Sequence, residues 1–261
     1  MGNSRLVIPF AGGLGMTTSV LPPRLWINDV NPRLINLYRC VKNNVNKVIS
    51  HLCTLDNTSD AFYKNRTAFN QAFSASTMDE SCFSNAALFL YLNKTCFRGL
   101  YRENGSGGFN VPYGNYKAQP HLKAPFLSNL GNMALYLRKA CPGDDDITCL
   151  DFESVINAMT ATDVCYCDPP YAPIVKGQFV GYNKSGFKKA DQDRLNESLR
   201  RSKCPVILSN SPAPDIITYW AKLKGVTIEQ FCVNRRMRVY HKDADSDTKP
   251  DNEMIITYNQ R

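Results

Sequence analysis

Short apolar runs, each closed by a glycine, a proline or an acid, mark the first part of the chain, and the same rhythm returns near residue 147. Arg5-Leu6-Val7-Ile8-Pro9 reads as a strand, Phe10-Ala11-Gly12-Gly13-Leu14-Gly15 turns the chain, and Met16 to Leu21 begins a helix. A second strand, Arg24-Leu25-Trp26-Ile27-Asn28-Asp29, ends in an acid; Asn31-Pro32 then starts a helix with Leu34, Ile35, Leu37 and Tyr38 on one face. From 45 to 135 the pattern is helical, most apolar at Ala86-Ala87-Leu88-Phe89-Leu90-Tyr91-Leu92, before a polar, glycine-rich stretch with many aromatics. Strand patterns resume at 147–151 and 163–167, followed by a helix around 190–203 and strands at 205–209 and 253–258. Strands alternating with helices predict an α/β fold with a mostly parallel sheet. We expect one domain built from residues 1–44 and 136–261, with a mostly helical insertion at 45–135.

Composition adds a core and a charge. The 261 residues are 43% hydrophobic, enough for a folded interior, and 31 Lys and Arg against 23 acids give a formal charge of +8. That balance suits a polyanionic partner without requiring one. Ten cysteines are scattered with no C-x-x-C pair, which predicts reduced core thiols and no metal site. No apolar run is long enough to cross a bilayer and the N-terminus lacks a secretory pattern, so the expectation is a soluble, cytoplasmic chain with no membrane partner.

Candidate chemistry begins at the glycine turn. Glycines after a first strand let a ligand approach the backbone, and an acid closing the second strand, Asp29, can accept hydrogen bonds from ribose hydroxyls. The dinucleotide spacing is not met, because residue 18 is Thr, so the turn suits a nucleoside without a diphosphate, such as S-adenosylmethionine, as well as a plain tight turn. The stretch Cys167-Asp168-Pro169-Pro170-Tyr171 ends a strand, since neither proline can donate to a sheet ladder. An adenine amine is a poor nucleophile because its lone pair is delocalised. A carboxylate (Asp168) and a carbonyl fixed by the Pro-Pro step (Pro169) could accept its two hydrogens, while Tyr171 offers a stacking face.

On these motifs the sequence resembles the Dam-type DNA adenine N6-methyltransferases over roughly residues 5 to 258. The matching stretches, in order, are Pro9-Phe10-Ala11-Gly12-Gly13, Asn28-Asp29-Val30-Asn31, Phe97-Arg98-Gly99-Leu100, Phe109 to Gly114, Asp151-Phe152, Asp168-Pro169-Pro170-Tyr171, Leu208-Ser209-Asn210 and Asn252 to Ile256. The resemblance implies a Rossmann-like S-adenosylmethionine-dependent methyltransferase sheet with a helical target-recognition insertion, working in a bacterial or phage-infected cell. It implies that Phe10, Ala11, Gly12 and Gly13 border the methionine end of the cofactor, that Asp29 holds the ribose, and that Asp151 and Phe152 meet the adenine. Asp168, Pro169, Pro170 and Tyr171 would form the catalytic turn, with Asp168 also bordering the cofactor.

For double-stranded DNA the resemblance implies a hairpin within 93–120, with Phe97 and Arg98 at its tip, Leu100 and Arg102 against base edges and Pro112 nearby; Asn93, Lys94 and Asn110 belong to the same stretch. GATC is the expected target, although Phe97-Arg98 replaces the usual Tyr-Asn tip. Arg235, Arg236 and Arg238, with Lys117 and Lys184, are expected on phosphate. Family members usually open with an aromatic-Gly-Gly-Lys-like motif. Here only Met1 to Ser4 precede the first strand, and Ser106-Gly107-Gly108 lacks both the aromatic and the lysine. A weak or inactive DNA-binding member therefore stays open beside the active enzyme, as does a subunit whose protein partner completes the cofactor site. An enzyme acting on RNA or a glutamine side chain, which uses a related N/D-P-P-Y/F turn, would lack the DNA-reading hairpin.

Overall fold

The computed structural model describes residues 4–72, 82–172, 186–233 and 251–259. Seven strands form one sheet: β1 (Leu6–Ile8), β2 (Leu25–Asn28), β3 (Ile147–Thr148), β4 (Val164–Cys167), β5 (Val206–Asn210), β6 (Val226–Val233) and β7 (Asp251–Tyr258), in the order β3-β2-β1-β4-β5-β7-β6. The first five strands run parallel, while β7 is antiparallel to both β5 and β6. This is the expected α/β architecture. The third strand is shorter than its apolar pattern, because Asp151 leaves the sheet to cap the next helix.

Successive residues of each strand face opposite layers. Ile8, Leu25 and Ile27 join the core beneath α2 (Pro32–Leu52), α4 (Cys82–Thr95) and α5 (Ala124–Ala140). Val7, Trp26, Cys165 and Cys167 enter the other core, with residues of α6 (Phe152–Ala158), α7 (Lys189–Arg201) and α8 (Pro214–Trp220). Helix α1 (Gly15–Val20) follows the glycine turn, and α3 (Ser59–Ala72) lies beyond α2.

The boundaries expected at 45 and 136 fall inside α2 and α5. Asn44, at the first of them, breaks the helical backbone with φ −153° and ψ 82°, yet Val41, Val45 and Val48 all remain in the same core. The segment between α2 and α5 therefore shares its interior with β1 and β2.

Its distal part is a hairpin. Cys96 pairs with Tyr113 and Glu103 with Phe109, both antiparallel, and Asn104 N–H donates to the Gly108 carbonyl at 2.8 Å. The reversing turn is thus Asn104–Gly108. This corrects the placement of Phe97 and Arg98: they form a separate 3-10 turn at the open end, where Phe97 N–H donates to Pro112 O at 2.8 Å. Arg98 adopts φ +59° there. The hairpin is held on its inner side by aromatic packing, with Tyr101 stacked on Phe89 at 5.2 Å and Phe109 edge-on to Phe69 at 6.4 Å. Asn70 of α3 both donates to and accepts from the Phe109 backbone, as a neighbouring strand would.

Candidate active site

Because β1 and β4 are adjacent and parallel, their C-terminal ends open side by side, and from this point the strand order runs outward in both directions. That switch point is where an open α/β sheet leaves a crevice. The loop after β1 carries Phe10 to Gly13; the loop after β4 carries Asp168 to Tyr171.

Asn28, wholly buried at the end of β2, ties the strand exits together. Its amide donates to the carbonyls of Pro9 and Leu150, both at 3.0 Å, and its oxygen accepts from Leu150 N–H and the Thr148 hydroxyl, both at 2.9 Å. Next to it, the two Asp29 oxygens accept from Gly12 N–H at 3.1 Å and Asn31 N–H at 2.9 Å. Burial raises the Asp29 carboxyl above its ordinary pKa, and the bonds from Asn31, Gly12 and Ala11 offset only part of that rise. Tyr38 of α2 donates its hydroxyl to the Gly12 carbonyl. Gly12 takes φ +46°, where glycine carries no steric cost, and a side chain built at Gly12 or Gly13 would meet no protein atom within 4 Å. The protein's own packing thus leaves space on the turn for a ligand.

A cavity of about 260 Å³ lies beside this turn, lined by Phe10, Asp151, Phe152, Phe187, Asp191 and Arg194, among others. Phe10 stacks on Phe152 at 5.4 Å, and Phe187 lies 5.7 Å from Phe10 and 5.8 Å from Phe152. Of the residues expected at the cofactor, Phe10, Asp151 and Phe152 line this cavity. Ala11, Gly12, Gly13, Asp29 and Asp168 are outside its lining, although Gly12 and Asp29 are bonded to each other.

The Asp168–Tyr171 turn is fixed by side chains from α7 and β5. Gln192 donates to the Pro170 carbonyl at 2.7 Å and accepts from the Asn210 amide at 3.2 Å; the Asn210 oxygen accepts from Ala172 N–H at 2.9 Å. The Tyr171 hydroxyl meets Ser209 Oγ at 2.6 Å. Burial is the main cause that pushes Tyr171 up to about 12; the Ser209 bond opposes it and the charge of Asp168 adds to it. Pro170's carbonyl is occupied, whereas Pro169's carbonyl accepts no bond among the described residues. Asp168 itself is exposed.

On the insertion, Phe97 and Leu100 stand at the two ends of the 3-10 turn and are each 46% exposed. Arg98, Arg102, Pro112 and Lys117 are also exposed. Asn93 donates to Gly99 O at 2.8 Å and Asn110 accepts from Arg102 Nε at 2.8 Å, so both amides shape the hairpin. Lys94 lies over the Phe126 ring at 4.6 Å. Lys184, Arg235, Arg236 and Arg238 fall outside the described residues. Among the described residues no cluster of metal-ligating side chains forms and no helix is long and apolar enough to cross a membrane.

Sequence reasoning missed Tyr38, Phe187, Gln192 and Arg194. Each acts across the fold on a residue far away in the chain, so no local pattern marked it.

A family model for the D12 class N6 adenine-specific DNA methyltransferases matches residues 2–234. The chain is 37% identical over 213 residues to the retron Ec67 DNA adenine methylase of Escherichia coli, covering 79% of this chain and 68% of that protein. It is 34% identical over 253 residues to the type II methyltransferase M.MjaIII of Methanocaldococcus jannaschii, covering 90% and 82%. With the DNA N-6-adenine-methyltransferase of Escherichia phage P1 it shares 36% identity over 219 residues, 81% of this chain and 27% of that longer protein. With the switch-point crevice and the Asp-Pro-Pro-Tyr turn in place, these matches show that the chain belongs to the D12 class of N6 adenine-specific DNA methyltransferases.

Proposed function

We propose that the chain methylates N6 of adenine within GATC in double-stranded DNA, with S-adenosylmethionine as donor. The observation that carries the reading is the Asp168–Tyr171 turn: its Pro170 carbonyl is held by Gln192 and its Tyr171 hydroxyl by Ser209, so the turn that presents the Asp168 carboxylate and the Pro169 carbonyl is fixed from two sides. Two acceptors at one rigid turn match the two hydrogens of an adenine amine. Drawing on both hydrogens favours the pyramidal nitrogen that attacks, and Tyr171 supports the flipped base by stacking.

The cofactor assignment rests on the fit of the neighbouring cavity. Its aromatic trio, Phe10, Phe152 and Phe187, suits a purine, the Asp151 carboxylate suits an exocyclic amine, and the open Gly12-Gly13 turn with Asp29 suits a ribose and an amino-acid tail. When bound, S-adenosylmethionine supplies an electrophilic methyl group on a good leaving group. What the chain contributes is positioning and electrostatics: Asp168 orients the amine, Asn28 ties the Pro9 and Leu150 strand exits beside the cofactor cavity, and Gln192 holds the catalytic turn.

GATC is supported by the hairpin. Arg102 has its Nε bound to Asn110, which steadies the fork that can read guanine O6 and N7, and the exposed Leu100 suits a thymine methyl. The relatives named DNA adenine methylases share this class of substrate by name. The test is methyl transfer from labelled S-adenosylmethionine to duplexes carrying GATC or singly substituted sites, with Asp168→Ala as control. Transfer confined to GATC adenine and abolished in the control is the expected result. Tight DNA binding without transfer, or equal rates on substituted sites, would overturn the activity or the target, respectively.

A further inference from the structure

The most elaborate charge arrangement among the described residues is at the rim of the aromatic cavity, and the chemistry described so far does not use it. Arg194 reaches from α7 to Asp151 with both guanidinium nitrogens, Nη1 to Oδ1 at 2.9 Å and Nη2 to Oδ2 at 3.0 Å. The same group lies 3.2 Å from Glu153 Oε2 and 3.4 Å from Asp191 Oδ1, and its Cζ is 4.3 Å from the centre of the Phe152 ring. Three carboxylates thus converge on one cation that also packs on an aromatic wall.

Asp151 is doing two jobs. As the cap of α6 its Oδ1 accepts Glu153 N–H at 2.9 Å, so with Arg194 that oxygen already takes two bonds. Among the described residues Oδ2 takes the Arg194 bond at 3.0 Å alone and keeps one acceptor direction. A rigid planar fork fixes the plane of a carboxylate in a way that a point charge does not. Without Arg194, Asp151, Glu153 and Asp191 would repel one another, and Asp151 could rotate about its capping bond.

Resting on the cofactor reading above, we propose that Arg194 is a positioning residue that holds Asp151 as an amine-seeking acceptor, so that the cavity selects an aminopurine nucleoside over an oxopurine one. An amine on the ring edge can donate to the remaining Oδ2 position. A ring carbonyl in that place meets the carboxylate with no proton between them, and a polar group left unpaired in a partly closed site costs binding.

The experiment is calorimetric titration of the full chain with S-adenosylhomocysteine and with S-inosylhomocysteine, for the wild type, Arg194→Lys and Arg194→Met, with melting temperatures recorded in parallel. The wild type should favour the adenosyl compound by about tenfold, and Arg194→Met should bring that ratio close to unity, since Asp151 is 44% exposed and an unpaired group there costs less than a fully buried one. Arg194→Lys, which keeps the charge and loses the fork, should fall between them, and it carries the test if the Met variant does not fold. If Arg194→Met lowers the melting temperature or weakens both compounds equally while the ratio holds, Arg194 only staples α6 to α7 and the proposal is wrong. A wild type that binds the adenosyl compound without discrimination overturns the proposal alone. A wild type that binds neither compound overturns the cofactor assignment, and the proposal with it.

Discussion

Gln192 Nε2 donates to the Pro170 carbonyl at 2.7 Å, linking the first half of α7 to the middle of the Asp168–Tyr171 turn. The same side chain accepts from Asn210 Nδ2 at 3.2 Å, and Asn210 in turn holds Ala172 N–H at 2.9 Å, so a closed polar circuit of buried groups fixes the turn. Such a circuit is rigid when complete and costly when broken. Gln192→Leu removes both bonds and leaves the Pro170 carbonyl and the Asn210 amide unsatisfied, at about 1–3 kcal/mol of stability. Its larger effect should be on kcat for methyl transfer, down about 100-fold for a small displacement of the acceptors, with cofactor affinity unchanged. Single-turnover kinetics beside calorimetry separates the two quantities; an unaltered chemical step would refute the positioning role.

Tyr38, Gly12 and Asp29 make a second chain of control. The Tyr38 hydroxyl holds the Gly12 carbonyl, and Gly12 N–H holds Asp29 Oδ2 at 3.1 Å. Tyr38→Phe keeps the ring and loses the tether, so KM for the cofactor should rise several-fold, about 1 kcal/mol for one hydrogen bond, while KM for DNA stays constant. Burial raises the Asp29 pKa, so the native chain holds this proton more tightly than the unfolded one. The stability contribution of Asp29 therefore declines as pH rises from the ordinary carboxylate value to the raised one, and is constant above it. If Asp29 holds the cofactor's ribose, as proposed, it does so best as the ionised acceptor. Affinity for S-adenosylhomocysteine should thus fall on acidification before an ordinary carboxylate would titrate, and a midpoint at or below that range would contradict the assignment.

How much of this could be read from the sequence depends on how far each interaction reaches. The β1 run, the glycine turn, the Asp29 strand end and the Pro-Pro stop were legible because turn residues and apolar periodicity are local signals. The antiparallel insertion of β7 between β5 and β6 was not, since strand order is set by packing across the sheet. Gln192 lies 22 residues from Pro170 and Arg194 lies 43 from Asp151, and polar groups pairing across such distances leave no periodic trace. The family resemblance points to Phe97 and Arg98 as a hairpin tip; the turn-forming sequence Asn104-Gly105-Ser106-Gly107-Gly108 is what makes the reversal.

Arg102 on the hairpin and Lys117 just beyond it should separate base reading from phosphate attraction. Arg102 Nε is bound to Asn110 Oδ1 at 2.8 Å, a fixed geometry suited to one base, whereas Lys117 is an exposed single charge. Arg102→Ala should cost about 1–3 kcal/mol on GATC duplexes and relax preference at one base pair. Lys117→Ala should weaken all duplexes alike and reduce the salt slope by about 1. A panel of singly substituted duplexes titrated at several salt concentrations gives both readouts. The same loss on every duplex for Arg102→Ala would assign it to the backbone instead.

At the N-terminal end of the central strands, away from the candidate active site, Arg5 and Asp163 bind one another just before β1 and β4. Arg5 Nε donates to Asp163 Oδ1 at 3.1 Å and Nη2 to Oδ2 at 3.3 Å, and Thr160 N–H adds a bond at 2.8 Å. Burial by itself raises the Asp163 carboxyl, yet the Arg5 and Thr160 bonds together outweigh it and hold the pKa below its ordinary value. The stability this provides is complete above the unfolded carboxylate pKa and is lost as pH falls through that value toward the lower folded one. Asp163 is 3% exposed and Arg5 26%, so solvent screens the pair from one side only. Arg5→Met, which also removes the cation 4.8 Å from the Trp26 ring, should therefore cost about 2 kcal/mol at neutral pH, less than for a fully enclosed pair. The difference between variant and wild type should narrow on acidification through the carboxylate range, because the wild type loses the charge that Arg5 was holding. Urea unfolding of both proteins across that range measures it directly: a gap that stays constant with pH would mean that Arg5 stabilises the strand pair by packing on Trp26 and not by its charge.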